Sequence, residues 1–308
     1  MSVIQAVVDC GSNTFHLIVF EKNSSGFKIL HKQSDFVWLG RNLSNQKRIS
    51  SESFNNGVEK LIEYKSKIDE FKVSEFVAYG TAALRMATNG VEFVKKAFEQ
   101  SSIKIQIIEG VREAELIYTG VKNIIPITNT SLIIDIGGAS TEFILCNSEG
   151  IIKMESFALG GNILIEKTNA SNPVSHQNII DLHALISEDL NSFLSEMKQL
   201  KPACIIGCSG SFTTYVEVLH AEYQQAKKGS NNGYTQIDFE HFNLLYNRLI
   251  NASLDEIYAL KGMNPKRAPL IAVASVLTKF IIDQLNIKEI VHSPYALKEG
   301  AMFEFLQQ

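Results

Sequence analysis

The chain has 308 residues, of which 45% are hydrophobic and 20% are charged. This length suggests about two domains, each large enough to bury its own core, and the composition is that of an ordinary soluble globular protein. The net charge of −4 argues against a general nucleic-acid binder, so any attraction for a polyanion must be local to a cleft.

The cysteines and the apolar runs point to a reducing compartment and to no membrane. The four cysteines lie in or beside apolar runs and form no Cys-x-x-Cys pair: Cys10, Cys146, Cys204 and Cys208. Neither a zinc site nor a disulfide framework is indicated, and a cytoplasmic location is expected. A strand is predicted from Val3, which leaves no room for a signal peptide. No apolar run approaches ~18–20 residues, so no membrane span is expected.

The first half begins with a predicted hairpin and continues with alternating helices and strands. Strands Val3–Asp9 and Phe15–Glu21 flank a short loop, and Phe27–Val37 is expected to continue an antiparallel meander. The remaining elements are predicted as helix Ser51–Phe71, strand Glu75–Tyr79, helix Val91–Gln100, strand Lys104–Ile108 and a helix that begins near Gly110.

The second half repeats this order of elements. Its hairpin is predicted at Leu132–Cys146 and its third strand at Gly150–Ala158. The later elements are predicted as helices Gly160–Lys167 and Ser175–Leu200, strand Cys204–Ile206, a polar loop at residues 227–233, helices Asp238–Asn251, Leu254–Leu260 and Pro269–Gln284, strand Ile287–Val291 and closing helix Tyr295–Leu306. The repeat predicts one domain over residues 1–124, completed by the closing helix at 295–308, and a second domain over 125–294.

Both halves open with the same loop pattern, Asp-x-Gly-x-x-Ser/Thr between apolar strands. The first copy lies within Val7–Phe15, and the second lies within Ile133–Thr141, 126 residues later. The glycines are expected to adopt φ > 0 and so to bring backbone N–H groups close to a ligand, as in an anion-binding nest. Two ordinary hairpin turns are the alternative, but a duplicated domain with a ligand clamped between two phosphate loops explains both copies at once.

Three further segments have the composition of an active site. The Gly-Thr turn of Gly80–Arg85 leads from a strand into a helix, where an anion can bind, and Gly207–Thr214 occupies the equivalent place in the second half. A capped helix with a solvated arginine is the alternative for the first of these turns. Residues Glu109–Tyr118 begin a helix with three acids and an arginine. These charges can merely complement the helix dipole, which is a sufficient explanation for Glu109 and Glu115.

These motifs resemble the exopolyphosphatase / guanosine pentaphosphate phosphohydrolase (Ppx/GppA) family, within the actin/hexokinase/Hsp70 superfamily. The resemblance implies an α/β fold of duplicated actin-like (ribonuclease H-like) domains with an interdomain cleft. Longer members append a helical C-terminal domain, so the short two-domain form is expected here. The matching segments are Val8–His16, Gly80–Arg85, Glu109–Val121, Ile134–Glu142, Gly207–Thr214, Asn264–Ala268 and Leu297–Gly300.

The resemblance also implies roles for individual residues. It makes Glu113 the general base that activates water. It makes three acids candidates for holding Mg²⁺ or Mn²⁺, namely Asp9, Asp135 and Glu142. The implied phosphate-binding residues are Gly11, Ser12, Asn13, Thr14, Arg85, Gly137, Gly138, Ala139, Ser140 and Thr141. Phosphoanhydride hydrolysis needs positioning, charge neutralisation and a carboxylate within reach of water, which agrees with these residue types.

Some positions depart from the family pattern. Arg112 precedes Glu113 where the family usually has paired glutamates, and Lys298 stands for an arginine. Ala139 replaces a glycine of the second loop. The methyl group of an alanine is tolerated at this position only if φ is negative. Trp38 lies where many members have a basic residue. A packed core tryptophan is favoured there over a ring that stacks on a guanine.

The predicted function is an exopolyphosphatase that releases terminal phosphate from inorganic polyphosphate with Glu-activated water and magnesium. The alternatives are a guanosine pentaphosphate 5′-phosphohydrolase of the stringent response and a non-catalytic sensor of polyphosphate or of the nucleotide. A kinase or ATPase of the superfamily is disfavoured, because the Glu113 segment replaces a kinase-type aspartate. The expected partners are polyphosphate or guanosine penta/tetraphosphate, with no nucleic acid and no membrane. A homodimer is left open.

Overall fold

The structure is a computed structural model, and it describes residues 3–23, 26–223 and 233–307. The chain divides into two compact units. The first comprises Met1–Gly120 together with Leu297–Gln308, and the second comprises Val121–Ala296. The polar loop predicted at residues 227–233 lies, except for Gly233, outside the described residues.

The first unit contains a five-stranded sheet. Its strands are β1 (Val3–Cys10), β2 (Thr14–Asn23), β3 (Gly26–Phe36), β4 (Glu75–Gly80) and β5 (Ile105–Ile107). The strand order is β3-β2-β1-β4-β5. The meander β1–β2–β3 is antiparallel, as predicted, whereas β4 runs parallel to β1 and β5 runs parallel to β4. The carboxyl ends of β1, β4 and β5 therefore lie at one edge of the sheet.

The second unit contains a six-stranded sheet. Its strands are β6 (Ser131–Ile136), β7 (Thr141–Asn147), β8 (Gly150–Phe157), β9 (Cys204–Cys208), β10 (Thr235–Ile237) and β11 (Glu289–His292). The order β8-β7-β6-β9-β11 repeats the order and the strand directions of the first sheet. Strand β10, which the sequence did not predict, adds an antiparallel edge to β11. The duplication seen in the sequence is thus present in the topology.

Helices connect and cover the strands of both sheets. Serine residues cap the starts of two helices, because the side chains of Ser50 and Ser175 accept hydrogen bonds from the backbone N–H groups of Ser53 and Asn178. In chain order the helices are α1 (Leu43–Gln46), α2 (Ser51–Glu70), α3 (Ala82–Met86), α4 (Gly90–Ser101), α5 (Gly110–Lys122), α6 (Gly161–Thr168), α7 (His176–Leu200), α8 (Ser209–Tyr223), α9 (Phe239–Asn251), α10 (Leu254–Tyr258), α11 (Ala268–Leu285) and α12 (Leu297–Gln307).

Helix α11 lies in the core of the second unit, where it packs against α7 and α9. By length and composition alone, this 18-residue helix could cross a membrane, contrary to the expectation that no segment is long enough. Within the described structure, 67% of this 18-residue window is buried. The core helix of a soluble protein passes the same test, so the helix is only a weak indication of a membrane span.

Helix α12 completes the first unit, although the chain reaches it after the second unit. It packs on β1 and β2, where the ring of Phe305 lies 6.2 Å from the ring of Phe20. Gly300 approaches the backbone of α5 so closely that a Cβ atom would overlap the carbonyl oxygen of Leu116. This crossing therefore requires glycine, and it fixes α12 beside the helix that carries Glu113.

Candidate active site

The first loop joins β1 to β2 directly after Asp9. The N–H group of Gly11 donates a hydrogen bond to the carbonyl oxygen of Thr14 at 3.1 Å, which closes a tight turn. Gly11 does not have a positive φ, so the expectation of a left-handed glycine is wrong. A Cβ atom at this position would lie 2.8 Å from the Thr14 oxygen. The turn thus requires glycine because the backbone approaches itself closely.

The second loop, between β6 and β7, has the same closure. The N–H group of Gly137 donates to the carbonyl oxygen of Ser140 at 3.0 Å. Neither Gly137 nor Gly138 has a positive φ, which corrects the same expectation at this loop. Ala139 also lacks a positive φ, so its methyl group is accommodated as predicted. The two loops are therefore equivalent in backbone geometry as well as in sequence.

The N-terminus of α6 holds the second loop in place. The N–H group of Gly161 donates to the carbonyl oxygen of Gly137 at 3.0 Å. Gly160 packs so closely that a Cβ atom would overlap the backbone between Gly138 and Ala139. Within the part of the chain that the structure describes, the N–H groups of Gly138 and Ala139 donate to no backbone carbonyl. Such successive N–H groups are suitable donors for an anion.

Two of the three predicted metal ligands lie together in the second unit. Asp135 on β6 is directly opposite Glu142 on β7, so both side chains are on one face of the sheet. Both residues are buried, with exposed fractions of 7% and 2%. The hydroxyl of Ser209 donates to Asp135 Oδ2 at 2.6 Å, and that of Ser156 donates to Glu142 Oε1 at 2.8 Å. Carboxylate oxygens are the ligands that Mg²⁺ prefers.

The third predicted metal ligand, Asp9, lies in the first unit. His16 is opposite Asp9 there, at the place that Glu142 occupies in the second unit, and its Nδ1 is 2.7 Å from the hydroxyl of Ser34. Among the described residues, no group of three or more His, Cys, Asp or Glu side chains could hold a metal ion. The predicted ligands are therefore divided, one in the first unit and two in the second.

The edge formed by β1, β4 and β5 brings together the other candidates of the first unit. The N–H group of Thr81 donates to the carbonyl oxygen of Cys10 at 3.3 Å, which joins the Gly-Thr turn to the first loop. Arg85 Nη1 donates to the carbonyl oxygen of Ile108 at 2.5 Å and lies 3.5 Å from Glu113 Oε2. Glu113 has an exposed fraction of only 7%. The predicted base is thus a buried carboxylate that faces an arginine.

The charged neighbours of Glu113 on α5 make different contacts. Arg112 donates to Glu115 at 3.0 Å and to Glu304 of α12 at 2.5 Å. Burial lowers the pKa of Arg112, but its hydrogen bonds to Glu304 and Glu115 outweigh this effect and the pKa is raised. Arg112, which departs from the family pattern, therefore ties α5 to α12. Glu115 belongs to the same group of contacts, because it accepts a hydrogen bond from Arg112.

Sequence reasoning missed the role of Arg267, although it marked the segment Asn264–Ala268. The Arg267 guanidinium lies against the first turn of α8, where a Cβ atom on Gly210 would overlap it. Burial lowers the pKa of Arg267, and the negative charges of Asp135 and Glu217 oppose that shift. A half-buried cation thus interacts with one of the two acids of the second unit. No local pattern connects these positions, because they are far apart in the sequence.

Comparison with known proteins gives a consistent result. The model of the Ppx/GppA phosphatase family matches residues 18–308. The crystal structure of an exopolyphosphatase from Cytophaga hutchinsonii is similar to this chain with a TM-score of 0.94 and 29% identity, covering 99% of this chain and 98% of that one. The Ppx/GppA family member of Aquifex aeolicus has the same fold, with a TM-score of 0.78 at 18% identity, covering 100% of this chain and 98% of that one.

A curated relative is longer than this chain. The bifunctional 3-dehydroquinate synthase/phosphatase of Fusobacterium nucleatum is 29% identical over an alignment of 314 positions. The alignment covers 98% of this chain and 46% of that protein. The chain thus spans about half the length of this relative. The solved structures confirm the predicted two-domain actin-like α/β fold, and the family match agrees with the predicted enzyme class, a phosphohydrolase. The chain belongs to the Ppx/GppA phosphatase family.

Proposed function

We propose that this chain is an exopolyphosphatase, which hydrolyses the terminal phosphoanhydride bond of inorganic polyphosphate. The observation that carries this proposal is Glu113, a buried carboxylate 3.5 Å from Arg85 at the carboxyl edge of the first sheet. The similarity to the Cytophaga hutchinsonii exopolyphosphatase, at 29% identity over 99% of the chain, supports the choice of substrate class.

The residues of the first unit supply a base and a cation. In the proposed reaction, Glu113 accepts a proton from water while the water oxygen attacks the terminal phosphorus. The bridging P–O bond breaks, and the shortened chain leaves with the negative charge. One N–H group of Arg85 donates a hydrogen bond to the carbonyl oxygen of Ile108. A guanidinium has five N–H donors, so others can bind phosphate oxygens.

The residues of the second unit supply neutral donors. We assign the backbone N–H groups of Gly138 and Ala139, together with the hydroxyl of Ser140, to phosphate oxygens. Thr141 is fully buried, and its hydroxyl donates to the carbonyl oxygen of Leu159 at 2.9 Å. The hydroxyl proton of Thr141 is therefore committed, so this hydroxyl is not assigned to a phosphate oxygen.

Mg²⁺ or Mn²⁺ is the proposed cofactor, and the acids of the second unit fit it. Asp135 and Glu142 are opposite each other, buried and able to supply only oxygen ligands. Each carboxylate accepts a serine hydroxyl and has further lone pairs for a cation. Because Mg²⁺ keeps several waters and binds substrate phosphates, two carboxylates suffice. When bound, the ion neutralises phosphate charge. The role of Asp9 stays a prediction.

The test is phosphate release from tripolyphosphate, guanosine pentaphosphate and ATP, measured side by side with Mg²⁺. The wild type is expected to release phosphate from tripolyphosphate, and Glu113→Gln to lose about 10²–10⁴-fold in rate. Glu115→Gln is the matched control, because Glu115 is on the same helix and bonds Arg112. Equal losses in the two variants would contradict the role of Glu113. Binding of tripolyphosphate without any release would favour the non-catalytic sensor.

Guanosine pentaphosphate is the second candidate substrate, and Trp38 favours it. Trp38 is half-buried and its ring lies 5.4 Å from that of Phe36, whereas its neighbours Val37 and Leu39 are buried in the core, so both a packing role and a stacking role stay predictions. The backbone N–H group of Trp38 donates to the carbonyl oxygen of Asn13 in the first loop at 3.1 Å. An indole ring beside a phosphate loop can stack on a guanine. The homodimer, the cytoplasmic location and the link to the stringent response stay predictions.

A further inference from the structure

Ser209, the first residue of α8, has a backbone conformation that serine rarely adopts. Its φ is +58°, in the left-handed region, which a residue with a Cβ atom occupies only at a cost in conformational energy. Glycine would occupy this conformation without strain. The position directly follows the end of β9, which runs parallel to β6 and pairs Cys208 with Asp135. A serine here calls for an explanation in terms of its side chain.

The hydroxyl of Ser209 provides that explanation. It donates a hydrogen bond to Asp135 Oδ2 at 2.6 Å, a short distance for a hydroxyl and a carboxylate. Asp135 has an exposed fraction of 7%, so few water molecules can replace this bond. The strained backbone and the short hydrogen bond occur at the same residue. The unfavourable backbone conformation of Ser209 therefore coincides with the contact that its side chain makes to Asp135.

Neighbouring elements hold Ser209 in this conformation. The hydroxyl of Thr213 donates to the carbonyl oxygen of Ser209 at 2.8 Å. Because this hydroxyl has one proton, the contact of 3.1 Å between Thr213 Oγ1 and His292 Nε2 requires the histidine to be the donor. His292 ends β11 and is buried, with an exposed fraction of 6%. Ser209 is thus supported from its own helix and, through Thr213, from the adjacent strand.

We propose that Ser209 is a positioning residue, whose hydroxyl fixes the orientation in which the Asp135 carboxylate holds the divalent cation. This inference rests on the proposed function, in which Asp135 and Glu142 bind Mg²⁺ or Mn²⁺. Hydrogen-bond partners of metal ligands orient those ligands, and their removal weakens metal binding about 10–100-fold. A serine retained only for the turn would have no such effect.

The test compares Ser209→Gly with a matched control, Ser102→Gly. Ser102 also has φ +58°, but it ends α4 in the first unit and is exposed. Both substitutions relieve the same backbone strain, but Ser209→Gly also removes a hydrogen bond to the buried Asp135, so only Ser102→Gly is expected to raise Tm. Only Ser209→Gly is expected to weaken binding of Mn²⁺, measured by electron paramagnetic resonance in the presence of inorganic phosphate, by about 10–100-fold. It should also raise the Mg²⁺ concentration that gives half-maximal phosphate release.

Ser209→Ala keeps the Cβ atom and the strain but removes the hydroxyl, so it should lose the same Mn²⁺ affinity and have a lower Tm than Ser209→Gly. Wild-type Mn²⁺ affinity in both Ser209 variants would overturn the proposal, as would an equal loss in Ser102→Gly. The Mn²⁺ measurement is independent of turnover. If the wild type released no phosphate from polyphosphate but lost Mn²⁺ affinity on removal of the hydroxyl, the proposed substrate would fail and the role of Ser209 would stand.

Discussion

Glu113 Oε2 lies 3.5 Å from Arg85 Nη1, and the two side chains have exposed fractions of 10% and 20%. Arg85 also donates to the carbonyl oxygen of Ile108, so its position is set by the backbone that leads into α5. The guanidinium balances the charge of a carboxylate that has little contact with solvent. The contact therefore lowers the cost of burying both charges.

Removal of Arg85 should affect both stability and substrate binding. Arg85→Ala removes a cation from beside the buried Glu113 carboxylate, and the free energy of unfolding is expected to fall by on the order of 1 kcal/mol or more. Arg85→Lys keeps the charge but loses the planar fork, so it should restore stability better than it restores KM for tripolyphosphate. Urea denaturation and steady-state kinetics of both variants provide the measurements. An Arg85→Ala variant with unchanged stability and KM would contradict the pairing.

Divalent metal should be required for turnover. Asp135 and Glu142 offer only oxygen ligands, so Mg²⁺ and Mn²⁺ are both expected to support phosphate release. Excess chelator should abolish the activity, and added Mg²⁺ should restore it. Asp135→Asn should raise the Mg²⁺ requirement, because an amide oxygen carries no charge. Full activity in excess chelator would remove metal from the proposed reaction.

Trp38 should report on the choice between substrates. The wild type is expected to have a higher kcat/KM for a short polyphosphate than for guanosine pentaphosphate, and Trp38→Ala should leave that preference in place. A second variant, Trp38→Phe, keeps an aromatic ring beside Arg41, whose guanidinium carbon lies 5.1 Å from the indole centroid. If the wild type preferred the nucleotide and Trp38→Ala lost the preference while Trp38→Phe kept it, guanosine pentaphosphate would be the substrate.

His292 should make the stability of the protein depend on pH. Burial lowers its pKa from 6.5 to about 4. The unfolded chain therefore binds a proton at a higher pH than the folded chain. The corresponding stability is fully present above pH 6.5 and is lost as the pH falls from 6.5 to about 4. The loss is at most about 3 kcal/mol.

The measurement for His292 is urea denaturation across this pH range, in the wild type and in His292→Gln. The glutamine keeps an N–H donor for Thr213 but does not titrate. The difference in unfolding free energy between the two proteins should change with pH in the direction stated above. A difference that stays constant as the pH falls would show that His292 is not held neutral by the fold.

The sequence was sufficient to predict the repeated topology, because each half carries the same pattern of apolar strands, loop and helices. The turns at Gly11 and Gly137 were located correctly, but their conformation was not, since the glycines serve close backbone approach rather than a positive φ. Arg267 and Ser209 could not be assigned to Asp135 in advance. Each reaches it through tertiary contacts between segments far apart in the chain, which no local periodicity encodes.

The path of the chain through the first unit has a consequence for its synthesis. Helix α12 packs on β1 and β2 but follows Ala296, the last residue of the second unit. A ribosome must therefore translate all of the second unit before the first sheet acquires this helix. The second unit is continuous from Val121 to Ala296, so it needs no later part of the chain to complete its own fold. A truncated chain that ends at Ala296 is expected to contain a folded second unit and a first unit in which Phe20 lacks its contact with Phe305.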